Sequence, residues 1–129
     1  MGIPVTSIPL PSDGADAHES SGVTIRPIAG TRELEACVRL QLDTWGQGFS
    51  DVVPGSLLQI SAKMGGVVSG AFNEEGELVG VVYGLTGLKD GELAHWSHML
   101  AVREDLRNAG LGRRLKLHQR RGFRRPGAG

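Results

Sequence analysis

Only one cysteine, Cys37, occurs in the 129 residues. No disulfide can form within the chain, so its stability must come from core packing, as suits a reducing compartment. Aromatic residues are scarce, at 5%, which argues against a stacking surface for nucleic-acid bases. No apolar run approaches the ~20 residues that span a bilayer. The N-terminus has no basic stretch followed by an apolar core, and Pro4, Pro9 and Pro11 interrupt its weakly apolar start, so a secretory signal is not expected and the cytoplasm is the expected location. Fourteen Lys and Arg balance fourteen Asp and Glu, which removes any whole-molecule attraction to nucleic acid or membranes. His18 stands alone in a polar segment, and no metal site is expected.

Glycine, by contrast, is abundant at 20 residues. Many glycines mean many turns, or backbone that something else must approach closely. Hydrophobic residues make up 40% and charged residues 22%, the balance of a globular domain. The length suits a single domain with a modest core. Charge is unevenly distributed: acidic residues dominate the first two-thirds, and Arg and Lys crowd the region from Arg103 to Arg125.

Residues 1–22 are rich in Pro, Ser, Asp and Gly without periodicity and read as a disordered leader. Val23–Ile28 is β-branched and alternating, a first strand that Pro27 confines to a sheet edge or a strand end. Thr31 is placed to cap a helix with Glu33 and Glu35 in its first turn. Leu34, Cys37, Val38, Leu42 and Trp45 share one face of that helix, which stops near Gly46, and Cys37 is read as core. Pro54 opens a second helix, whose buried stripe is expected to be Leu57, Leu58, Ile60, Ser61 and Met64, with Gly65 and Gly66 ending it. Val67–Phe72 and Leu78–Tyr83 are strands joined by an Asn73-Glu74-Glu75-Gly76 hairpin loop. The second of them is apolar on both faces, as a central strand must be. Lys89-Asp90-Gly91 turns into the longest strand, Glu92–Val102. Tyr83, the one tyrosine, is read as packing at a strand end. The order is β-α-α-β-β-β-α, closing on a tail, Gly122–Gly129, that Pro126 and its glycines keep out of the helix.

The segment from His98 to Leu115 carries the chemistry. An apolar strand ends at Val102, a polar connection follows, and Gly110-Leu111-Gly112 opens a basic amphipathic helix with Leu111, Leu115 and His118 along one side. The first N–H groups of a helix lack intrahelical partners, and the helix dipole is positive there. Glycines without side chains let an anion approach, and Arg107, Arg113 and Arg114 add charge suited to phosphate. The P-loop pattern fails because Arg113, not Lys followed by Ser or Thr, comes after Gly112. The Rossmann pattern fails because Leu115 stands where its third glycine belongs.

Arg107-x-x-Gly110-x-Gly112 resembles the Gln/Arg-x-x-Gly-x-Gly/Ala signature of the GNAT N-acetyltransferase superfamily. Leu100-Ala101-Val102 is similar to the strand end that precedes that signature, and the upstream order of elements matches. His95 to Val102 looks similar to an uncharacterised branch of predicted acetyltransferases. The resemblance covers about residues 23–121 and implies a partial GNAT domain. Its fold would be α/β (α+β), with a mixed, mostly antiparallel sheet flanked by helices. It implies acetyl-CoA or another acyl-CoA as co-substrate, an amine as acceptor, and no metal. Backbone groups of Leu100, Ala101 and Val102 would pair with the pantetheine arm. Arg107 and the backbone of Asn108, Ala109, Gly110, Leu111, Gly112 and Arg113 would hold the pyrophosphate.

Acyl transfer to an amine needs a base for the ammonium proton and an acid for the thiolate. The resemblance puts a carboxylate or water chain on this strand or the next, and the strand offers Glu92, His95, Ser97 and His98. Alternation sets His95 and Ser97 on one face and His98 on the other. An imidazole of ordinary pKa, ~6.5, can take a proton near neutral pH. His95 and His98 can equally be strand residues held by hydrogen bonds.

A whole domain of this superfamily continues past the helix with a further strand, a helix and closing strands. Here a short basic tail follows, so the C-terminal half of the fold is expected to be missing. That pattern fits a truncated or frameshifted reading frame, a fragment completed by another chain, or a degenerate member. The edge of the Glu92–Val102 strand would then be open, a surface for homo-oligomer formation. An acyl-CoA-dependent N-acyltransferase is the first expectation, and an inactive acyl-CoA-binding or interaction module the second. The Arg/Lys cluster reads mainly as a solvated helix face, since Phe123 alone accompanies it and base stacking needs more.

Overall fold

The computed structural model describes residues 22–128, with side chains described as far as residue 123. The leader, including His18, lies outside the described residues apart from Gly22. The elements are β1 (Thr24–Pro27), α1 (Gly30–Trp45), α2 (Gly55–Lys63), β2 (Val67–Phe72), β3 (Leu78–Lys89), β4 (Glu92–Val102), a 3-10 turn (Glu104–Leu106) and α3 (Leu111–Ala128). The four strands form one antiparallel sheet in the order β1-β2-β3-β4. Pro27 lies on the edge strand, where its missing N–H breaks no ladder. β2 is buried along its whole length, and β3 from Val79 to Tyr83.

Burial on two faces follows from helices on both sides. α1 and α2 cover one face over a core that includes Cys37, Leu58, Val81, Tyr83 and Met99. α3 covers the other face over Val67, Ala71, Val79, Val82, Leu111 and Leu115. Burial pushes the Cys37 thiol up to about 12, so it stays a protonated core group.

Several local expectations shift. α1 begins at Gly30, with Ala29 rather than Thr31 at its N-cap and no side-chain cap on the helix. Glu33 takes over part of that role: its carboxylate accepts the Ala29 N–H at 2.8 Å and a two-pronged bond from Arg26 at 2.7 and 2.9 Å. The buried stripe of α1 is Cys37, Leu40 and Gln41, while Trp45 stays exposed against Phe49. On α2 only Leu58 and Ser61 are buried, and Leu57, Ile60 and Met64 face outward. That helix has nine residues and meets the sheet along one i,i+3 line, so its other apolar positions point elsewhere. β3 runs six residues beyond Tyr83, through Gly84 and Gly87, as a long arm paired with β4. α3 does not stop at Arg121. It continues through Gly122, where the helix comes so close to Val67 that a Cβ would sit 3.2 Å from its methyl, and Pro126 falls in the last turn.

Gly66 leads from the end of α2 into β2, its N–H bonded to the Ser61 carbonyl at 2.8 Å. A Cβ there would meet the carbonyl oxygens of Gly84 at 2.6 Å and Ser61 at 2.9 Å. Backbone atoms cannot swing aside as side chains do, so Gly66→Ala should destabilise the fold by about 1–3 kcal/mol in urea unfolding. Gly87→Ala, where a Cβ meets nothing within 4 Å, should change stability little. Equal behaviour of the two variants would contradict this packing.

Candidate functional site

β4 organises the site through one irregularity. Its register with β3 steps from Tyr83↔Met99 to Gly84↔Ser97, so His98 is an extra residue with no partner on β3. An extra residue inverts the alternation. Before it, His95 and Ser97 face α3; after it, Met99 and Ala101 face α1 and α2. His98 itself emerges on the α1–α2 side, exposed, its ring edge-on to Tyr83 at 5.6 Å between centroids.

Beneath α3, His95 is only 1% exposed, and both ring nitrogens are engaged. Gln119 Nε2 lies 2.9 Å from His95 Nε2, and Thr86 Oγ1 lies 3.1 Å from Nδ1. The Gln119 amide nitrogen can only donate, so His95 Nε2 accepts and Nδ1–H donates to Thr86. Ser97 completes the group by donating to Gln119 Oε1 at 3.2 Å, and Phe123 lies 5.2 Å from the His95 ring. Burial drives the His95 pKa down to about 4. This imidazole is neutral and fully bonded, the state of a structural histidine rather than of a base open to substrate.

The outer edge of β4 is a different environment. Arg103 N–H bonds to the Val79 carbonyl at 2.8 Å. By antiparallel alternation, the amide groups of Met99 and Ala101 then turn toward β3, and those of Leu100 and Val102 point away from the sheet. Arg107 Nε donates to the Val102 carbonyl at 3.0 Å, in keeping with that direction. The chain then passes Asn108 (φ 71°) and Gly110 (φ 82°), both left-handed, before α3 starts at Leu111. The i→i−4 bonding of α3 begins with Arg114 N–H to the Gly110 carbonyl at 3.2 Å. Gly112 has no conformational or steric need to be glycine, since a Cβ would meet only Leu100 at an ordinary 3.7 Å. A glycine in the first helical turn without an internal reason suits close approach by a ligand.

On the other side of β4, a cleft of ≈ 780 Å³ opens between the strand and the α1–α2 connection, with Trp45, Phe49, Leu57, Trp96, His98 and Met99 on its walls. Gln41 fixes that connection. Fully buried, its amide donates to the Val53 carbonyl at 2.9 Å and accepts the Val53 N–H at 2.6 Å, pairing with the loop as a strand neighbour would.

The residues singled out from the sequence therefore divide. Leu100, Val102, Arg107, Asn108, Ala109, Gly110, Leu111, Gly112 and Arg113 lie on one continuous path from the strand edge to the helix start. Ala101 points its side chain into the core, and Leu111 buries its own under α3. Arg114 donates to the Val23 carbonyl at 3.1 Å, so part of its guanidinium is committed to the residue that precedes β1. His98 lies on the cleft and His95 beneath the sheet. Glu92 sits at the far hairpin end, opposite Lys89, about 20 Å along the strand from His98 at ~3.4 Å per residue. Gln41, Gln119 and Trp96 were not singled out in sequence. A mid-helix glutamine carries no local signal, because what it bonds is remote in the chain. Among the described residues no group of His, Cys, Asp and Glu could hold a metal ion, and no helix is long and apolar enough to cross a membrane.

No family model matches the sequence, and no curated protein matches it. Among solved structures, the chain is similar to the GCN5-related glucosamine N-acetyltransferase region of a fungal multi-domain GH3 β-N-acetylglucosaminidase. The TM-score is 0.61 at 14% identity, over 78% of this chain and 13% of that one. The chain thus has a GNAT-like fold, a mixed α+β arrangement with an antiparallel sheet between helices.

The His95 environment has a consequence for stability. Its folded pKa of about 4 lies below the ~6.5 of an unfolded histidine. Between those values the unfolded chain holds more protons, so acidification favours unfolding. The loss begins as pH falls through ~6.5 and reaches about 3 kcal/mol below pH ~4. Urea unfolding from neutral pH down to pH ~5 should show this slope, and His95→Gln should flatten it. An identical slope in both proteins would contradict the assignment.

Proposed function

We propose that the chain binds acyl-CoA along the outer edge of β4 and the start of α3, and passes the acyl group to an amine seated beside His98. The GNAT-like fold supports this reading at the level of the family. The observation that carries it is the continuity of two features of different origin. The outward amide groups of Leu100 and Val102 lead directly into a loop whose left-handed Asn108 and Gly110 turn the chain into the N-terminus of α3.

An extended amide-bearing arm suits an open strand edge, because it can exchange N–H and C=O bonds with alternate residues. A pyrophosphate suits a helix start, where amide dipoles converge and Gly112 leaves room. Arg113 is exposed beside that turn. Arg107 would have a second duty, since it already ties the loop to the Val102 carbonyl. Bound acyl-CoA would supply an activated thioester. The chain's own tasks are to orient the thioester on the strand edge, to exclude water in the cleft and to take the ammonium proton. His98, exposed on that cleft, is the residue assigned to the last task. His95 and Glu92 are not, one being buried and bonded and the other remote. The same open edge could pair two copies of the chain, and self-pairing would then compete with acyl-CoA for Leu100 and Val102.

Isothermal calorimetry with acetyl-CoA should show saturable binding. Gly110→Glu should abolish it by placing bulk and negative charge at the loop. Gly112→Ala should separate two effects: weaker acetyl-CoA binding, with fold stability unchanged or raised by at most about 1 kcal/mol. Undiminished affinity in both variants would mean that the loop is misassigned.

Release of free CoA, followed with a thiol reagent in the presence of an amine, tests turnover. His98→Ala should lower kcat by roughly 10²-fold or more while leaving acetyl-CoA affinity intact. Binding without any CoA release in the unaltered chain would point instead to an inactive acyl-CoA-binding module.

A further inference from the structure

The walls of the ≈ 780 Å³ cleft beside His98 specify more than its position. Both tryptophans of the chain, Trp45 and Trp96, line it. They are 43% and 41% exposed, so large π faces remain open to a ligand. Phe49 and Leu57 extend the apolar wall. Polar side chains on the lining are few. Gln41 is already paired with Val53, which leaves Ser50, Asp51 and His98. No Lys or Arg lines the cleft, and Asp51 is the one carboxylate on it.

Each feature selects against something. A sugar carries a hydroxyl on nearly every carbon, and three polar side chains with two indole N–H groups are few partners for them once water is displaced. A phosphorylated, nucleotide or acidic acceptor finds no cation to meet it. A primary ammonium finds a carboxylate and two indole faces, both attractive to a cation. An aromatic or alkyl body finds open apolar surface whose burial is favourable.

We infer that the acceptor taken by this cleft is a hydrophobic primary amine, an arylalkylamine or alkylamine, with its body between Trp45 and Trp96 and its ammonium toward Asp51 and His98. This rests on the acyltransferase reading for the word acceptor, but the binding it describes does not require acyl-CoA. The amino sugar named for the structurally similar protein is the competing ligand chemistry.

Because the only two tryptophans line the cleft, intrinsic indole fluorescence reports on it directly. The full chain is titrated with phenethylamine, 2-phenylethanol and glucosamine. Phenethylamine should give a saturable change, 2-phenylethanol a weaker one and glucosamine none in the same range. Trp96→Ala, at an exposed position and with Trp45 kept as reporter, should weaken phenethylamine roughly tenfold, and Trp96→Phe should restore most of it. Asp51→Asn should cut the preference for amine over alcohol roughly two- to fivefold. Tighter binding of glucosamine than of phenethylamine, or no saturable change with either, would overturn the inference. So would an amine-to-alcohol ratio indifferent to Asp51→Asn. Acetyl-CoA calorimetry on the same sample separates the two readings. Acetyl-CoA binding without phenethylamine binding sinks only the cleft assignment; the reverse sinks only the acyltransferase reading.

Discussion

The extra residue in β4 is the constraint on which the rest of the molecule depends. A strand obeys strict alternation, so His95, Ser97, Met99 and Ala101 would share one face in a regular β4. They differ too much for that. Met99 and Ala101 belong with Cys37 and Leu58, whereas His95 and Ser97 have their hydrogen-bond partners on α3 and β3. Inserting His98 without a partner on β3 switches the parity once, at the place where the two requirements meet. The inserted residue cannot lie in the ladder and is turned out onto the cleft. Polar burial and exposure of the one accessible imidazole on β4 are thus two results of a single irregularity.

The polar side of that switch brings its own demands. His95 and Gln119 lie directly over Gly84, where a Cβ would collide with His95 Nε2 and Gln119 Nε2. Any side chain at 84 would displace the hydrogen-bonded His95–Gln119 pair, so the glycine inside β3 is a packing requirement rather than a break. The same helix bonds again to the sheet through His118 and Ser69, 2.8 Å apart. Buried networks of this kind hold a helix in one rotation and one register, because sliding it would leave several polar groups unpaired at once. Phe123 closes over His95, which gives the helix a reason to continue beyond Arg121. It also half-buries the aromatic nearest the basic cluster.

What could be read from the sequence follows from what is local. β2, β4, both hairpin turns and the stop at Gly46 carry their signals within a few residues, and these positions agree with the structure. The turn at Gly110 is legible because left-handed backbone favours glycine, although Asn108 beside it adopts the same conformation. The errors share a different cause. Trp45, Leu57, Ile60 and Met64 were assigned to the core because they are apolar, yet apolar residues are exposed wherever a helix meets its sheet along a narrow line. The sequence places the end of β3 at Tyr83, whereas the strand continues through Gly84, and the pair packed against Gly84 comes from residues 95 and 119, remote in the chain. The bulge at His98 was invisible for the same reason. Register is a relation between two strands, and neither strand states it alone.

These long-range ties also decide how firmly the two halves of the site are held. Leu111 and Leu115 bury the first turns of α3 against the sheet, and the Gln119 and His118 bonds pin its middle. Arg107 fastens the intervening loop to the Val102 carbonyl. Strand edge, loop and helix start are therefore tied into one continuous path, and on the proposed reading an acyl-CoA laid along it would meet donors already in place. Across β4, the paired bonds of Gln41 to Val53 hold the α1–α2 connection against the body of the domain, which keeps the opposite wall from collapsing onto Trp96. Preorganised walls spare a ligand the cost of ordering them. β4 is common to both, its outer edge forming the path and His98 facing the cleft. On the proposed reading, a donor laid on the outer edge of β4 and an acceptor in the cleft would meet beside that residue, as transfer within a ternary complex requires.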